Sequence, residues 1–471
     1  MRNMPAIFSS SSSQELSMDA LLSIYKDLKC DKVIFKRLAS NDNSKNQLYF
    51  GSHLTDLSFL PIGEVGASDS TSGKKNYRDK GPKFTAHFPF LWIDAGGKEY
   101  PAPNSKLIYY PQYPEVRFSG FVQSCAIDAD GWLDPKKLGR MAGRILILGI
   151  SKSRKSTFGF FATPESQIAK EIKEKPATEA RNLFETIWDD QKYEEGKSFR
   201  ELLLESLAQI HLENWIPSQR MNADGKIVPY TAQNGGGYTL EAKLGIIPNG
   251  FAEPDYLGWE IKQFQVANFL KAFQGKALTL LTPEPTGGYY VEKGVPEFLR
   301  KYGMLNKNTP DRYDFCGRHF ATGVCPATGL NLAIEGFDEA SRKVSDSKGA
   351  IHLIDYHGND AASWNFTKII EHWNKKHANA VYVPSMKRQD LSLIHYRYSN
   401  LVRLYTGTNI NLFLNSVLTG AVYYDPGIKL ENSSTRPVTK RRSQFRVKAK
   451  ELDTLYVHRE DVDLMEYVQG C

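Results

Sequence analysis

The sequence predicts two domains, an N-terminal all-β domain followed by a C-terminal α/β domain. Three observations carry this. A chain of 471 residues is longer than one ordinary hydrophobic core organises. Up to about residue 170 it reads as short aromatic or β-branched runs separated by polar turns, the pattern of a barrel or sandwich. Beyond residue 176, strand-like and helix-like segments alternate.

Leu21, Leu22, Tyr25 and Leu28 keep helical spacing near the start. Strands are then expected over 32–38, 47–51, 84–93, 106–110, 115–122, 144–151 and 157–162. Within them, Phe84-Thr-Ala-His-Phe88 alternates with period two, as a half-buried strand does. Residues 163–197 are polar, charged and predominantly helix-forming, with Lys175-Pro176 as the clearest break. The break sets the expected domains as 1–175 and 176–471.

Ser198-Phe-Arg-Glu201 has the form of a capping box and leads into a helix over 202–215. A short helix is expected over 238–244, with Leu240 and Leu244 on one side and Gly245 as its cap. Pro248, Asn249 and Gly250 then turn the chain back toward a strand over 256–264. Further strands are expected over 277–281, 331–337, 351–356 and 380–383, and an amphipathic helix over 361–377 through Phe366, Ile369, Ile370 and Trp373.

Composition removes several classes. Hydrophobic residues at 41% and aromatics at 12% suit packed cores rather than disorder. No apolar run reaches membrane-spanning length, and residues 1–13 lack the apolar segment of a secretory signal. Five cysteines, an odd number spread widely, suit a reducing compartment, so a cytoplasmic location is expected. Cys316, His319 and Cys325 lack a fourth zinc ligand at a usual spacing and read as ordinary side chains. Neither an internal repeat nor a phosphate-binding loop of the nucleoside triphosphatase type is present.

The chemistry lies in Gly235-Gly-Gly-Tyr-Thr-Leu-Glu241 through Pro254-Asp255-Tyr-Leu-Gly-Trp-Glu260-Ile-Lys262. On a strand, Glu260 and Lys262 share one face, while Trp259 and Ile261 turn to the other, buried one. Asp255 enters the strand beside Glu260, and Glu241 sits on the preceding helix. Half-buried carboxylates side by side repel one another unless a cation neutralises them. Oxygen-only ligands with room for water suit Mg²⁺, and a neighbouring lysine orients or deprotonates an attacking water. An E-x-K pattern alone is more often a solvated face. Joined to the helix, the tight return and the Pro-Asp, it describes a compact acidic pocket.

These residues resemble the active-site block of the MvaI/BcnI restriction endonucleases, a branch of the PD-(D/E)xK nucleases that includes MutH-type repair enzymes. The pattern there is a helical glutamate, an aspartate fourteen positions on, then E-x-K, matched by Glu241, Asp255, Glu260 and Lys262. The resemblance runs over roughly 182–471, through Trp215-Ile-Pro-Ser-Gln-Arg220 and 328–338. It implies a PD-(D/E)xK, MutH-like α/β fold and a type II endonuclease that cleaves double-stranded DNA. Asp255, Glu260 and the Ile261 carbonyl would hold Mg²⁺, with Glu241 and Lys262 completing the site. It also implies a monomer that nicks each strand of a short pseudopalindromic, CCWGG-like site in turn, alongside a cognate DNA methyltransferase. Two other functions share parts of the pattern: a MutH-like repair nickase needing partner proteins, and a non-catalytic DNA-binding regulator.

Charge distribution adds two DNA-contact regions. The net charge is +7, and between Glu431 and Glu451 seven basic residues stand without one acid. Within that window Lys440, Arg441, Arg442, Gln444, Arg446 and Lys448 are side-chain types that contact phosphates and bases, and Phe445 and Val447 alternate with Arg446 and Lys448. The expectation is a recognition loop followed by a strand. In the N-terminal domain, Lys36, Arg37, Ser40, Asn41, Asp42 and Asn43 follow one strand, and Gln112, Glu115 and Arg117 begin another. These segments resemble the two arms of the EcoRII-type effector domain, a B3-like pseudobarrel, which implies that this domain grips a second or effector DNA site.

Overall fold

The computed structural model describes residues 7–39, 46–68, 81–127, 131–134, 136–174, 184–189, 197–232, 234–247, 256–275, 277–391 and 393–468. The chain divides into two compact units, with the second taken up from Lys197 onward.

The first unit holds two open sheets. One runs in the order Glu185–Asp189, Lys32–Arg37, Ile145–Ser151, Ser156–Ala162, Phe90–Ile93, Glu99–Pro101. The other runs Gln47–Gly51, Glu115–Ser119, Lys106–Tyr110, Lys83–His87, Val65–Ser68 and is antiparallel throughout. Among the described residues no pairing closes either sheet into a barrel. Every residue of Ile145–Ser151 is buried, because helices Met18–Asp27 and Gln167–Glu174 join the core over that sheet. Gly149 permits this: a Cβ there would lie 2.2 Å from the Tyr25 ring. The unit is therefore sheet-rich rather than purely β.

Two expectations need correction here. The strand over 84–93 is two strands in different sheets, Lys83–His87 and Phe90–Ile93, separated at Phe88-Pro89. Proline has no N–H for a ladder, so the chain changes sheets there. Among the described residues of the helix-forming segment 163–197 only Gln167–Glu174 is helix, whereas Glu185–Asp189 is an edge strand on Lys32–Arg37. Thr186, Ile187 and Trp188 fit a strand, and Asp189 closes it with an ion pair to Lys32 at 2.9 Å.

The second unit is built around Asn379–Asp390. One edge of this strand pairs in parallel with Glu260–Gln265, with Glu260 opposite Ala380 and Lys262 opposite Tyr382. It also pairs antiparallel with Leu393–Tyr398 and Leu401–Thr406, which follow one another with a two-residue irregularity at Ser399-Asn400. Ile216–Pro217 and His458–Asp463 extend the sheet. Helix Phe199–Leu212 begins at the expected capping box, Ser198 with Glu201, and buries Leu203, Leu204 and Leu207 against Ile261, Val381 and Val383.

Elsewhere in this unit, residues 361–365 belong to strand Asp360–Asn365 and not to the helix. Ala361 through Trp364 are buried in a ladder with Ala350–Ile354. Asn365 caps helix Phe366–His377 by accepting from the Lys368 N–H at 2.9 Å. Phe445–Lys448 is the middle strand of a three-stranded sheet, between Ala277–Leu281 and Val422–Tyr424. Among the described residues no helix is long and apolar enough to cross a membrane.

Candidate active site

The strand bearing Glu260 begins later than the sequence suggests. Tyr256 and Trp259 exchange both backbone hydrogen bonds, 3.0 and 2.8 Å, around Leu257 (φ 50°) and Gly258 (φ 79°). Two successive positive φ values make a tight hairpin turn, and regular strand starts at Glu260. The faces are as expected: Trp259 and Ile261 join the core, while Glu260 and Lys262 turn toward the pocket.

Glu260 is buried to 2% exposure, a costly place for a carboxylate. Two ammonium groups compensate it at one oxygen. Lys262 Nζ lies 2.5 Å from Oε1, and Lys376 Nζ lies 3.6 Å from the same atom. Burial pulls the Glu260 carboxyl upward, but the two lysines outweigh it and hold the group below the ordinary glutamate range. Its other oxygen, Oε2, is buried without a hydrogen-bond partner among the described residues.

Glu241 reaches the same pocket from helix Gly235–Lys243. Glycine at the helix start lets it press onto the strand: a Cβ on Gly236 would lie 2.9 Å from the Gln263 amide. The Tyr398 hydroxyl donates to the Gly236 carbonyl at 2.8 Å, and the Gln219 N–H donates to Thr239 Oγ1 at 3.0 Å. Leu240 is fully buried, and Gly245, at φ 75°, stops the helix just beyond its cap. Burial and the neighbouring Glu260 charge push the Glu241 carboxyl up.

Helix Phe366–His377 supplies the other wall. His377 is fully buried, its Nδ1 2.8 Å from the Tyr456 hydroxyl and its Nε2 3.0 Å from the Leu280 carbonyl. Burial and then Lys262 push its imidazole down to about 3, so it is neutral. The carbonyl requires Nε2 to donate, which leaves Nδ1 to accept from Tyr456. Trp373 stacks on the ring at 4.1 Å, and Tyr382, opposite Lys262 in the ladder, lies 3.4 Å from Tyr456 through its hydroxyl.

The structure thus brings Glu241, Glu260 and Lys262 together. Asp255 lies outside the described residues, as do Ser40, Asn41, Asp42 and Asn43. Lys376 and His377 were missed; no local pattern marks them, since only parallel pairing of distant strands carries them to Glu260. Among the described residues no cluster of three or more His, Cys, Asp or Glu side chains converges on a metal position. The two carboxylates present, and the orphaned Oε2, are hard oxygen donors of the kind a divalent cation of the magnesium class takes.

The DNA-contact candidates divide by burial. In the first unit Lys36 lies over the Phe184 ring, Arg37 pairs with Glu185 at 3.1 Å, and Arg117 pairs with Glu115 at 2.6 Å and reaches Gln47 at 3.2 Å. Gln112 is half-buried beside them in sequence. In the second unit Lys440, Arg441, Arg442 and Lys448 are exposed. Gln444 is buried and accepts from Thr279, and Arg446 pairs with Asp425 at 2.7 Å.

The profile of the MvaI/BcnI restriction endonuclease family matches residues 204–456, more than half the chain and all four positions of the acidic block. The chain belongs to this family. It is therefore a type II site-specific deoxyribonuclease. Among solved structures it is similar to the restriction endonuclease MvaI in a complex with cognate DNA substrate, at 17% identity and a TM-score of 0.42, covering 57% of this chain and 99% of that one. MvaI in the absence of DNA is similar at 15% identity and a TM-score of 0.33, covering 57% and 100%. No curated protein matches as a relative.

Proposed function

We propose that this endonuclease hydrolyses double-stranded DNA in a Mg²⁺-dependent reaction at a short pseudopalindromic, CCWGG-like site, working as a monomer that nicks the two strands in turn. The observation that supports the metal chemistry is the division of labour at Glu260: Oε1 faces two ammonium groups, and Oε2 is buried without a partner. Asp255, Glu260 and the Ile261 carbonyl would hold the ion. Bound there, it supplies Lewis-acid charge and a more acidic water.

The protein's own groups do the rest. Lys262 orients the attacking water and adds positive charge as the phosphorane oxygens become more negative. Glu241 accepts a hydrogen bond from a water of the site, and does so as an anion only above its raised pKa. The deeply set strand and its hairpin turn fix these groups before DNA arrives. The products are a 5′-phosphate and a 3′-hydroxyl. The first unit is assigned as a B3-like effector domain, with Lys36, Arg37 and Ser40 to Asn43 on one arm and Gln112, Glu115 and Arg117 on the other. Exposed Lys440, Arg441, Arg442 and Lys448 are assigned to DNA contact near the cleavage site. A cognate methyltransferase protects host DNA.

Incubating the purified chain with supercoiled plasmid and phage DNA in Mg²⁺, beside Glu260→Ala and an EDTA control, tests this. Discrete bands absent from both controls support the assignment, and mapped ends give the site. Cutting confined to CCSGG sites would reject the CCWGG-like target. Intact DNA in every lane with binding retained would turn the assignment toward a partner-dependent nickase or a regulator.

A further inference from the structure

Helix Phe366–His377 delivers a cation that no part of the acidic motif encodes. Lys376 Nζ lies 3.6 Å from Glu260 Oε1, the oxygen that Lys262 already contacts at 2.5 Å. The Lys376 side chain is 35% exposed and that of Glu260 3%, so the ammonium stands at the mouth and the carboxylate beneath it. This placement is built in. The next residue, His377, is clamped between Tyr456 and the Leu280 carbonyl, and Trp373 stacks on it, so the last helical turn has one orientation.

Among the described residues the pocket contains two carboxylates, Glu241 and Glu260, and two ammonium groups, Lys262 and Lys376. Like charges disfavour one another at this range. Any divalent ion that approaches Oε2 therefore meets the Lys376 charge on its way in.

We propose that Lys376 is the resting counter-ion of Glu260: it shares Oε1 with Lys262, leaves Oε2 as the ligand atom, and opposes metal entry until it swings away. Its exposed, flexible stem permits that swing. A DNA phosphate arriving at the mouth is an anion to which it can transfer, so substrate and metal favour each other's binding. Lys376 is a positioning residue in this scheme, acting through Glu260. The inference rests on Glu260 being a metal ligand.

The test is Mn²⁺ affinity of the full chain without DNA, read by electron paramagnetic resonance of free Mn²⁺ at constant ionic strength. Lys376→Met should bind Mn²⁺ about tenfold more tightly, the effect of removing one close like charge. Lys376→Arg, which keeps the charge, and Lys368→Met, which removes one from the same helix but beside Glu371, should match the parent. Lys376→Gln provides a second neutral variant if Lys376→Met fails to fold, as judged by thermal melting. Unchanged or weaker Mn²⁺ binding in the folded neutral variant, with Glu260→Gln weakening it, overturns the counter-ion role alone. Indifference of Mn²⁺ affinity to Glu260→Gln overturns the metal assignment and the counter-ion role together.

Discussion

Glu241 and Glu260 share one pocket and are driven to opposite protonation behaviour. Burial and the Glu260 charge raise Glu241; Glu260 is buried more deeply, yet Lys262 and Lys376 hold it low. As pH falls from neutral, Glu241 takes up its proton first. In the metal-free protein the Glu241 carboxyl should therefore titrate above the ordinary glutamate range, read by carboxyl-carbon nuclear magnetic resonance. Glu241→Gln should lack that titration and, in Mg²⁺, cleave about 10²-fold more slowly, the low end for one acid–base group. The same titration persisting in Glu241→Gln would assign it to another residue.

Removing the cation proposed to position the attacking water should be more damaging. Lys262→Ala is expected to slow cleavage by about 10²–10³-fold, the usual cost of one preorganised electrostatic group. Gel-shift affinity for DNA should stay within a few-fold of the parent. Cleavage by Lys262→Ala at the parental rate would remove this lysine from the chemistry.

The His377 clamp makes a prediction about stability. Its imidazole is pushed down to about 3 in the folded chain, whereas in the unfolded chain it protonates at about 6.5. Only the unfolded state binds the extra proton between these values, so stability is fully present above about pH 6.5 and is lost as pH falls toward about 3. The contribution is on the order of a few kcal/mol. Melting temperature should decline more shallowly between neutrality and pH 4 in His377→Gln, although this variant starts lower. Parallel curves for the two proteins would show that the clamp does not titrate.

The turn at Leu257-Gly258 sets where the strand bearing Glu260 and Lys262 begins. With φ at 79°, Gly258 occupies left-handed backbone that a Cβ strains, and Gly258→Ala should cost about 1 kcal/mol. Denaturant unfolding measures that cost. Cleavage should fall more than stability explains, since a displaced turn shifts Glu260 and Lys262 together. An unaltered rate at equal folded fraction would mean that the strand tolerates the shift.

The effector assignment predicts that a short uncleavable duplex carrying the recognition site, added in trans, stimulates plasmid cleavage. Arg117→Ala should abolish the stimulation and leave basal cleavage alone, since Arg117 is on the sheet of the first unit. Equal stimulation of both proteins would take Arg117 out of the effector surface.

Much of this fold was legible because packing obeyed local pattern. The runs at 47–51, 106–110 and 277–281 became Gln47–Gly51, Lys106–Tyr110 and Ala277–Leu281, each with alternating or continuous burial that its apolar residues announce. The capping box at Ser198 and the glycine stop at Gly245 were legible for the same reason. Ala361-Ala-Ser was not: small residues carry no strand signal, and only the ladder with Ala350–Ile354 decides them. At the site, Glu241, Glu260 and Lys262 were readable from spacing, because one helix and one strand carry all three. Lys376 and His377 were not, since nothing local ties them to residue 260.

That distance in sequence has a biosynthetic consequence. Among the described residues, strand Glu260–Gln265 pairs only with Asn379–Asp390. A ribosome that has already made the acidic motif must add more than a hundred further residues before the strand has a partner to lie against. Pairing so remote is also slow to form. Half-made chains, and fragments left by premature termination before residue 379, therefore carry the full acidic motif without an assembled blade. The pocket that joins Glu241, Glu260, Lys262 and Lys376 thus closes only late in synthesis.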